Sequence, residues 1–230
     1  MTKTIFVVGC SFSHHDIYVK PNETWPFLLQ NDLKCRIVNC SVPGNSNLSY
    51  FYRLKEAEEQ FGKPDKVIVQ LTGLHRIFYH VKNVPICDLV KHKKFYYYYD
   101  TYNAAYREAG ISMTPSIVTN SRQLHLLQKI YGIRKKDITT YWKHFASDDN
   151  LEWLNLKECM LIDMYFKDTV FFTWHHKFNW LSKYVNYLGD LKYDILGDNG
   201  FEKYSHIPLE DEHFNADGHI AVKEFIKQHV

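Results

Sequence analysis

The first third of the chain alternates between two hydrophobic patterns. Residues 3–8, Lys3-Thr4-Ile5-Phe6-Val7-Val8, form a mostly apolar, β-branched run, the pattern of a strand buried on both faces. Residues 66–72 and 169–174 read the same way, and residues 35–39 read as a second short strand. Between these runs, residues 27–33 and 48–61 carry helical periodicity, with Pro26 suited to a first turn and Gly62-Lys63-Pro64-Asp65 closing the second helix. Strand and helix alternating through short connections predict an α/β domain with a mainly parallel sheet and right-handed crossovers.

The pattern breaks between residues 77 and 120. No clean period is visible there, and the segment holds Pro85, Pro115 and four consecutive tyrosines, Tyr96 to Tyr99. No Gly/Ser/Pro-rich linker sets it apart, so it is expected to be an insertion lying over the sheet of a single domain, residues 1–230. Helices are predicted over 121–131, 136–145 and 150–166. A last amphipathic helix over 218–228 presents Ile220, Val222, Phe225 and Ile226 as its apolar positions.

Three chemically interesting segments fall at ends of these elements. Ser11 follows the first strand, in Gly9-Cys10-Ser11-Phe12-Ser13, where open α/β sheets place their ligands. Gly44 and Asn45 follow the second strand. Glu210, Asp211 and His213 precede the last helix. In a parallel sheet these loops open on one edge and can meet. A serine, a histidine and a carboxylate that orients the histidine make a hydroxyl nucleophilic at neutral pH. Backbone amides beside a glycine can form an oxyanion site, each donor contributing about 3–4 kcal/mol. Trp174 and His175 end a strand on the same edge and are candidates for lining a substrate cleft. His219, in the first turn of the last helix, reads as a packing or capping residue.

Composition narrows the function further. A net charge of +2, with basic clusters no longer than Lys91-His92-Lys93-Lys94 and Arg134-Lys135-Lys136, makes no case for a nucleic-acid or membrane partner. Cys10, Cys35, Cys40, Cys87 and Cys159 are odd in number and lack a CxxC pair, which argues against a disulfide framework or structural zinc. The pairs His14-His15 and His175-His176 would point to opposite faces of a strand, so no metal site is expected, and no cofactor is called for. No secretory signal and no membrane-length apolar run is seen, which leads to the expectation of a cytoplasmic protein or one released without a signal peptide. Aromatic residues make up 16%, with 17 tyrosines; their flat faces suit sugar rings.

The sequence resembles the SGNH, or GDSL-type, hydrolases. Gly9-Cys10-Ser11-Phe12-Ser13 is similar to the family's first block. Asn39-Cys40-Ser41-Val42-Pro43-Gly44-Asn45-Ser46-Asn47 is similar to its second, and His213 with a preceding acid to its fifth. Trp25-Pro26-Phe27-Leu28-Leu29 resembles the segment often found between the first two blocks. The resemblance implies a flavodoxin-like three-layer α/β/α sandwich carrying a helical and aromatic central insertion. It implies Ser11 as nucleophile, His213 as general base and Asp211 as the acid, with Glu210 left open. Ser11 and Gly44 amides, with Asn45, would make the oxyanion hole. Two positions depart from the family: Cys10 stands where it has aspartate, and Thr72-Gly73-Leu74-His75-Arg76 lacks the third-block asparagine. Thr72, His75 or Asn45 are the candidate substitutes, and Thr72 and His75 are further candidates for substrate contact. The implied activity is a serine esterase releasing small acyl groups, acetyl above all, from a small-molecule or carbohydrate ester. The alternatives are an acyltransferase using the same pair, or a non-catalytic carbohydrate-binding or structural protein on this fold.

Overall fold

The computed structural model describes residues 2–14, 19–42, 45–74, 76–80, 116–119, 140, 144, 147–174, 178–192, 203–207 and 211–230, with backbone alone for 77–80, 116–119, 206–207 and 211–212. Five strands, all paired in parallel, form its central sheet: β1 (Thr4–Val8), β2 (Arg36–Asn39), β3 (Lys66–Leu71), β6 (Thr169–Thr173) and β7 (Tyr187–Asp190). Their spatial order is β2-β1-β3-β6-β7, the flavodoxin-like arrangement. β1 therefore lies at the switch point, with β2 on one side and β3 on the other, and the crevice at its carboxyl end is the position where this topology binds ligands.

Side chains of β1 alternate between two helical layers. Ile5 and Val7 pack with Trp25 and Leu29 of α1 (Trp25–Leu33) and with Val222 and Ile226 of α4 (Ala216–Lys227). Phe6 and Val8 pack with Tyr50, Leu54 and Ala57 of α2 (Tyr50–Phe61) and with Leu156, Cys159 and Ile162 of α3 (Asp148–Tyr165). The result is a three-layer α/β/α sandwich. Each fully buried aromatic or branched side chain contributes about 1.5–3 kcal/mol, which is why the strands read as continuous apolar runs.

The carboxyl-terminal helix is tied to the amino-terminal one. Lys223 and Lys227 of α4 both reach Asp32 of α1, at 3.0 and 2.9 Å. Asn215 caps α4, its Oδ1 accepting the Gly218 N–H at 2.8 Å. A Cβ on Gly218 would lie 2.6 Å from the Tyr204 carbonyl oxygen, so this helix start tolerates only glycine at that position.

Two further pairs of strands lie outside the main sheet. β4 (Ile77–His80) and β5 (Ser116–Thr119) pair antiparallel from Ile77↔Thr119 to His80↔Ser116, bringing the two ends of the central segment side by side. β8 (Ser205–Ile207) and β9 (Asp211–Phe214) pair antiparallel just before α4. The tyrosine run at 96–99 and the helix expected at 121–131 lie outside the described residues, and of the helix expected at 136–145 only Thr140 and His144 are described, both helical. Among the described residues no helix is long and apolar enough to cross a membrane.

Strands β7, β8 and β9 were not expected from the sequence. Tyr187-Leu188-Gly189-Asp190 is a short edge strand with a glycine at φ 122°, and it has no apolar run to betray it. The β8–β9 hairpin is three and four residues long and largely polar.

Candidate active site

β1 ends at Val8, and the chain then makes a single 3-10 turn, Ser11–Ser13, at the carboxyl edge of the sheet. Side chains from three elements hold this turn. From β3, Gln70 Oε1 accepts the Cys10 N–H at 3.1 Å, the Cys10 thiol at 3.2 Å and the Ser13 hydroxyl at 3.3 Å. From α1, Trp25 Nε1 donates to the Phe12 carbonyl and to Ser13 Oγ, both at 3.2 Å. From the end of β2, Asn39 Nδ2 donates to the Ser13 carbonyl at 2.7 Å. Gly9 admits this packing because a Cβ there would sit 2.9 Å from both Gln70 Oε1 and Ser13 Oγ. Cys10 thus bonds to Gln70 through both its amide and its thiol.

The Ser11 hydroxyl and N–H are left unengaged inside this frame, while its carbonyl accepts the His14 N–H at 3.3 Å. Ser11 is 9% exposed, and no hydrogen bond among the described residues uses its hydroxyl or its N–H. A free N–H at the start of a short helix beside a free hydroxyl is the pairing an acyl nucleophile with an oxyanion donor requires.

The loops after β2 and β3 are bound to the serine turn and to each other. Val42 N–H donates to the Gly9 carbonyl at 3.1 Å. Asn45 is buried: its Oδ1 accepts the Ser46 N–H at 2.9 Å and the Ser49 hydroxyl at 2.6 Å, while Nδ2 faces the Gly9 carbonyl at 3.5 Å. Asn47 grips Thr72 in both directions, donating to its carbonyl at 2.8 Å and accepting its N–H at 2.7 Å. Thr72 N–H is therefore committed to this loop contact. Gly44 and His75 lie outside the described residues.

His213 reaches the serine turn from the other end of the chain. It sits on β9, and its imidazole stacks on the ring of Phe12 with centroids 5.0 Å apart and planes 15° apart. Phe214, the next residue, meets Phe12 edge-on at 5.2 Å and Trp174 at 4.3 Å. The structure thus brings His213 against Phe12, the residue next to Ser11 in the serine turn. No hydrogen bond joins Ser11 to His213. Asp211 is placed on the backbone of β9, two residues before His213, while Glu210 and His175 lie outside the described residues.

Trp174, expected as a cleft residue, is 1% exposed and packs against Phe12 and Phe214. Its ring supports the aromatic cluster that carries His213 and offers a substrate almost no accessible surface. Thr72 is likewise buried, at 3%.

His219 lies behind the same cluster and has a different task. Its Nδ1 accepts the Trp25 N–H at 3.1 Å, and its ring meets Phe214 edge-on at 5.3 Å. Burial first, and the neighbouring His213 second, push its pKa down to about 3, so the ring is neutral with its proton on Nε2.

Gln70 and Trp25 are the functional-region residues that sequence reasoning overlooked as polar anchors. For Gln70 a signal existed: it is a lone uncharged polar residue in a strand buried at all six positions, and a buried amide must find partners.

No family model matches the sequence, and no curated protein matches it. Several solved structures are similar to it. One is a G-D-S-L family lipolytic protein from Desulfitobacterium hafniense, 12% identical over 100% of both chains with a TM-score of 0.46. Another is an acetylxylan esterase from Geobacillus stearothermophilus, 12% identical over 99% of this chain and 93% of that one, TM-score 0.48. A third is a salicylyl-acyltransferase from a tetracycline biosynthetic pathway, 13% identical over 100% of this chain but 55% of the other, TM-score 0.43. The α/β/α assignment stands on strand order and layering, independently of these likenesses.

Proposed function

We propose that the chain is a serine esterase of SGNH type that removes small acyl groups, acetyl above all, from a carbohydrate or other small ester. The observation that carries this reading is the imidazole of His213 stacked on Phe12, the residue next to Ser11 with its unengaged hydroxyl. The sequence resemblance supports it independently.

In this reading Ser11 Oγ attacks the ester carbonyl carbon while His213 takes the hydroxyl proton. The carbonyl π-electrons move to oxygen, and the Ser11 N–H, with the Gly44 N–H, receives the oxyanion. Collapse breaks the bond to the leaving alcohol, to which His213 returns the proton, leaving an acyl-Ser11 ester. His213 then deprotonates a water that attacks the acyl carbon, releasing the acid and restoring the serine. Asp211 would orient the imidazole. Hydrolysis of p-nitrophenyl acetate by pure protein tests this: Ser11→Ala should fall to the uncatalysed background, and activity surviving that change would remove the assignment.

The missing Ser11–His213 hydrogen bond, with Thr72 N–H already committed to Asn47, favours a second reading: a non-catalytic binding protein on the same fold. A fluorophosphonate separates the two, because only an activated serine is captured covalently.

A further inference from the structure

The turn that carries Ser11 contains two residues that donate from their side chains, Cys10 and Ser13, one on each side of it. Both donate to a single atom, Gln70 Oε1, which also takes the Cys10 N–H. The amide cannot be reversed without loss, since Gln70 Nε2 donates to the Leu71 carbonyl at 2.6 Å. Its backbone is held too, as the buried Tyr50 hydroxyl donates to the Gln70 carbonyl at 3.0 Å. Gln70 is 1% exposed and belongs to β3, the strand beside β1 at the switch point.

We infer that Gln70 is the positioning residue for Ser11, a bracket from β3 that clamps the turn on both sides of the serine and so fixes where its hydroxyl and N–H point. This inference rests on the reading of Ser11 as nucleophile. Merely satisfying a buried amide would need one donor from anywhere. Here all three come from Cys10 and Ser13, on either side of Ser11, while the Ser11 hydroxyl and N–H stay unengaged between them. The absence of a Cβ at Gly9, 2.9 Å from Gln70 Oε1 were it present, is what lets the bracket close. Displacing a nucleophile by an ångström costs on the order of 100-fold in rate, so the bracket acts on catalysis through geometry and touches no substrate.

The test compares Gln70→Met, which keeps length and removes the acceptor, with Gln70→Glu. At pH 6 a buried carboxyl is protonated and, like the amide, accepts on one oxygen and donates to Leu71 from the other. Gln70→Met should slow fluorophosphonate capture and lower kcat for p-nitrophenyl acetate by about 10–100-fold with KM within about twofold. Gln70→Glu should recover most of that rate, relative to wild type, at pH 6 and lose it at pH 9. Capture of Gln70→Met at the wild-type rate, or a Gln70→Glu profile parallel to wild type at every pH, overturns the inference. If Gln70→Met does not fold, Cys10→Ala, which removes one donor, should slow capture severalfold, and unchanged capture counts against the bracket. If wild type itself is not captured, the nucleophile reading has failed. Hydrogen exchange in residues 9–14 then decides for Gln70: faster exchange in the variant upholds the clamp, unchanged exchange refutes it.

Discussion

His219 Nδ1 accepts the backbone N–H of Trp25, 194 residues earlier in the chain, at 3.1 Å. This one bond satisfies an otherwise open donor in the first turn of α1 and joins α1 to the start of α4. It also fixes Trp25, whose indole holds the Phe12 carbonyl. The tail of the chain therefore reaches the serine turn twice, once through His213 on Phe12 and once through His219 and Trp25.

The first bond requires a neutral imidazole, which gives the fold an acid-sensitive point. His219 titrates near 3 when folded against 6.5 in its ordinary state. Between those values the unfolded chain binds the extra proton, so stability is full above pH 6.5 and is lost as pH falls towards 3. The slope is about 1.4 kcal/mol per pH unit. Denaturant titrations at pH 7.5, 5.5 and 4.5 should show this loss, and His219→Asn, which keeps an acceptor, should flatten it. An unchanged slope in that variant would place the acid sensitivity elsewhere.

Glu158 on α3 works in the opposite sense. Its carboxylate accepts the Phe51 N–H at 2.8 Å, and burial pushes its pKa up to about 7 from 4.5. The folded state holds the extra proton in that window, so its contribution is full below 4.5 and is lost as pH rises through 7. Glu158→Gln keeps an acceptor for Phe51 and removes the charge. The variant should match wild type near pH 4.5 and exceed it at pH 8 by about 2 kcal/mol, read from urea midpoints. Equal stability at pH 8 would show that the carboxylate is solvated when charged.

Phe12 serves fold and site together. Phe12→Ala removes a ring packed on His213, Phe214 and Trp174 and should cost about 3–4 kcal/mol. Phe12→Leu keeps apolar bulk without a flat face, so it should cost about 1 kcal/mol yet lower kcat by about tenfold. Phe12→Tyr restores the face and should restore kcat. If Leu and Tyr perform alike at this position, the stacking has no part in holding His213.

The strands that build the sheet were readable because burial on both faces removes polar residues: β1, β3 and β6 appear as apolar runs, and the observed bounds differ from the expected ones by a residue or two. α1, α2, α3 and α4 followed from periodicity, with Pro26 marking the first, while the Asn215 cap that starts α4 ahead of the expected Gly218 went unread. What else escaped was non-local. Nothing in Tyr187-Leu188-Gly189-Asp190 announces an edge strand, because its partner β6 supplies the pairing. His213 was singled out by its place before the last helix and by resemblance, yet that its ring would lie on Phe12 depends on the pairing of β8 with β9. Trp174 ends its strand at the right edge, but whether an aromatic there faces solvent or core is decided by Phe214.

Asn47 shows how the loop after β3 is held. The side chain bonds Thr72 on both sides of its backbone, and Nδ2 also donates to Asn155 Oδ1 at 2.7 Å. Asn155 Nδ2 donates in turn to the Leu151 carbonyl at 2.7 Å, so a buried amide pair links the loop after β2, the loop after β3 and helix α3. Asn47→Ala leaves Thr72 N–H and Asn155 Oδ1 without these partners, and each orphaned buried group costs about 1–3 kcal/mol. The variant should lose about 2–5 kcal/mol in denaturant unfolding, with faster hydrogen exchange at Thr72. Asn47→Asp, which accepts from Thr72 N–H but opposes the Thr72 carbonyl and Asn155 Oδ1, should be destabilised at pH 8 and recover as the carboxyl protonates towards pH 5. A variant as stable as wild type at pH 8 would mean that water replaces the amide and that the loop is held by other contacts.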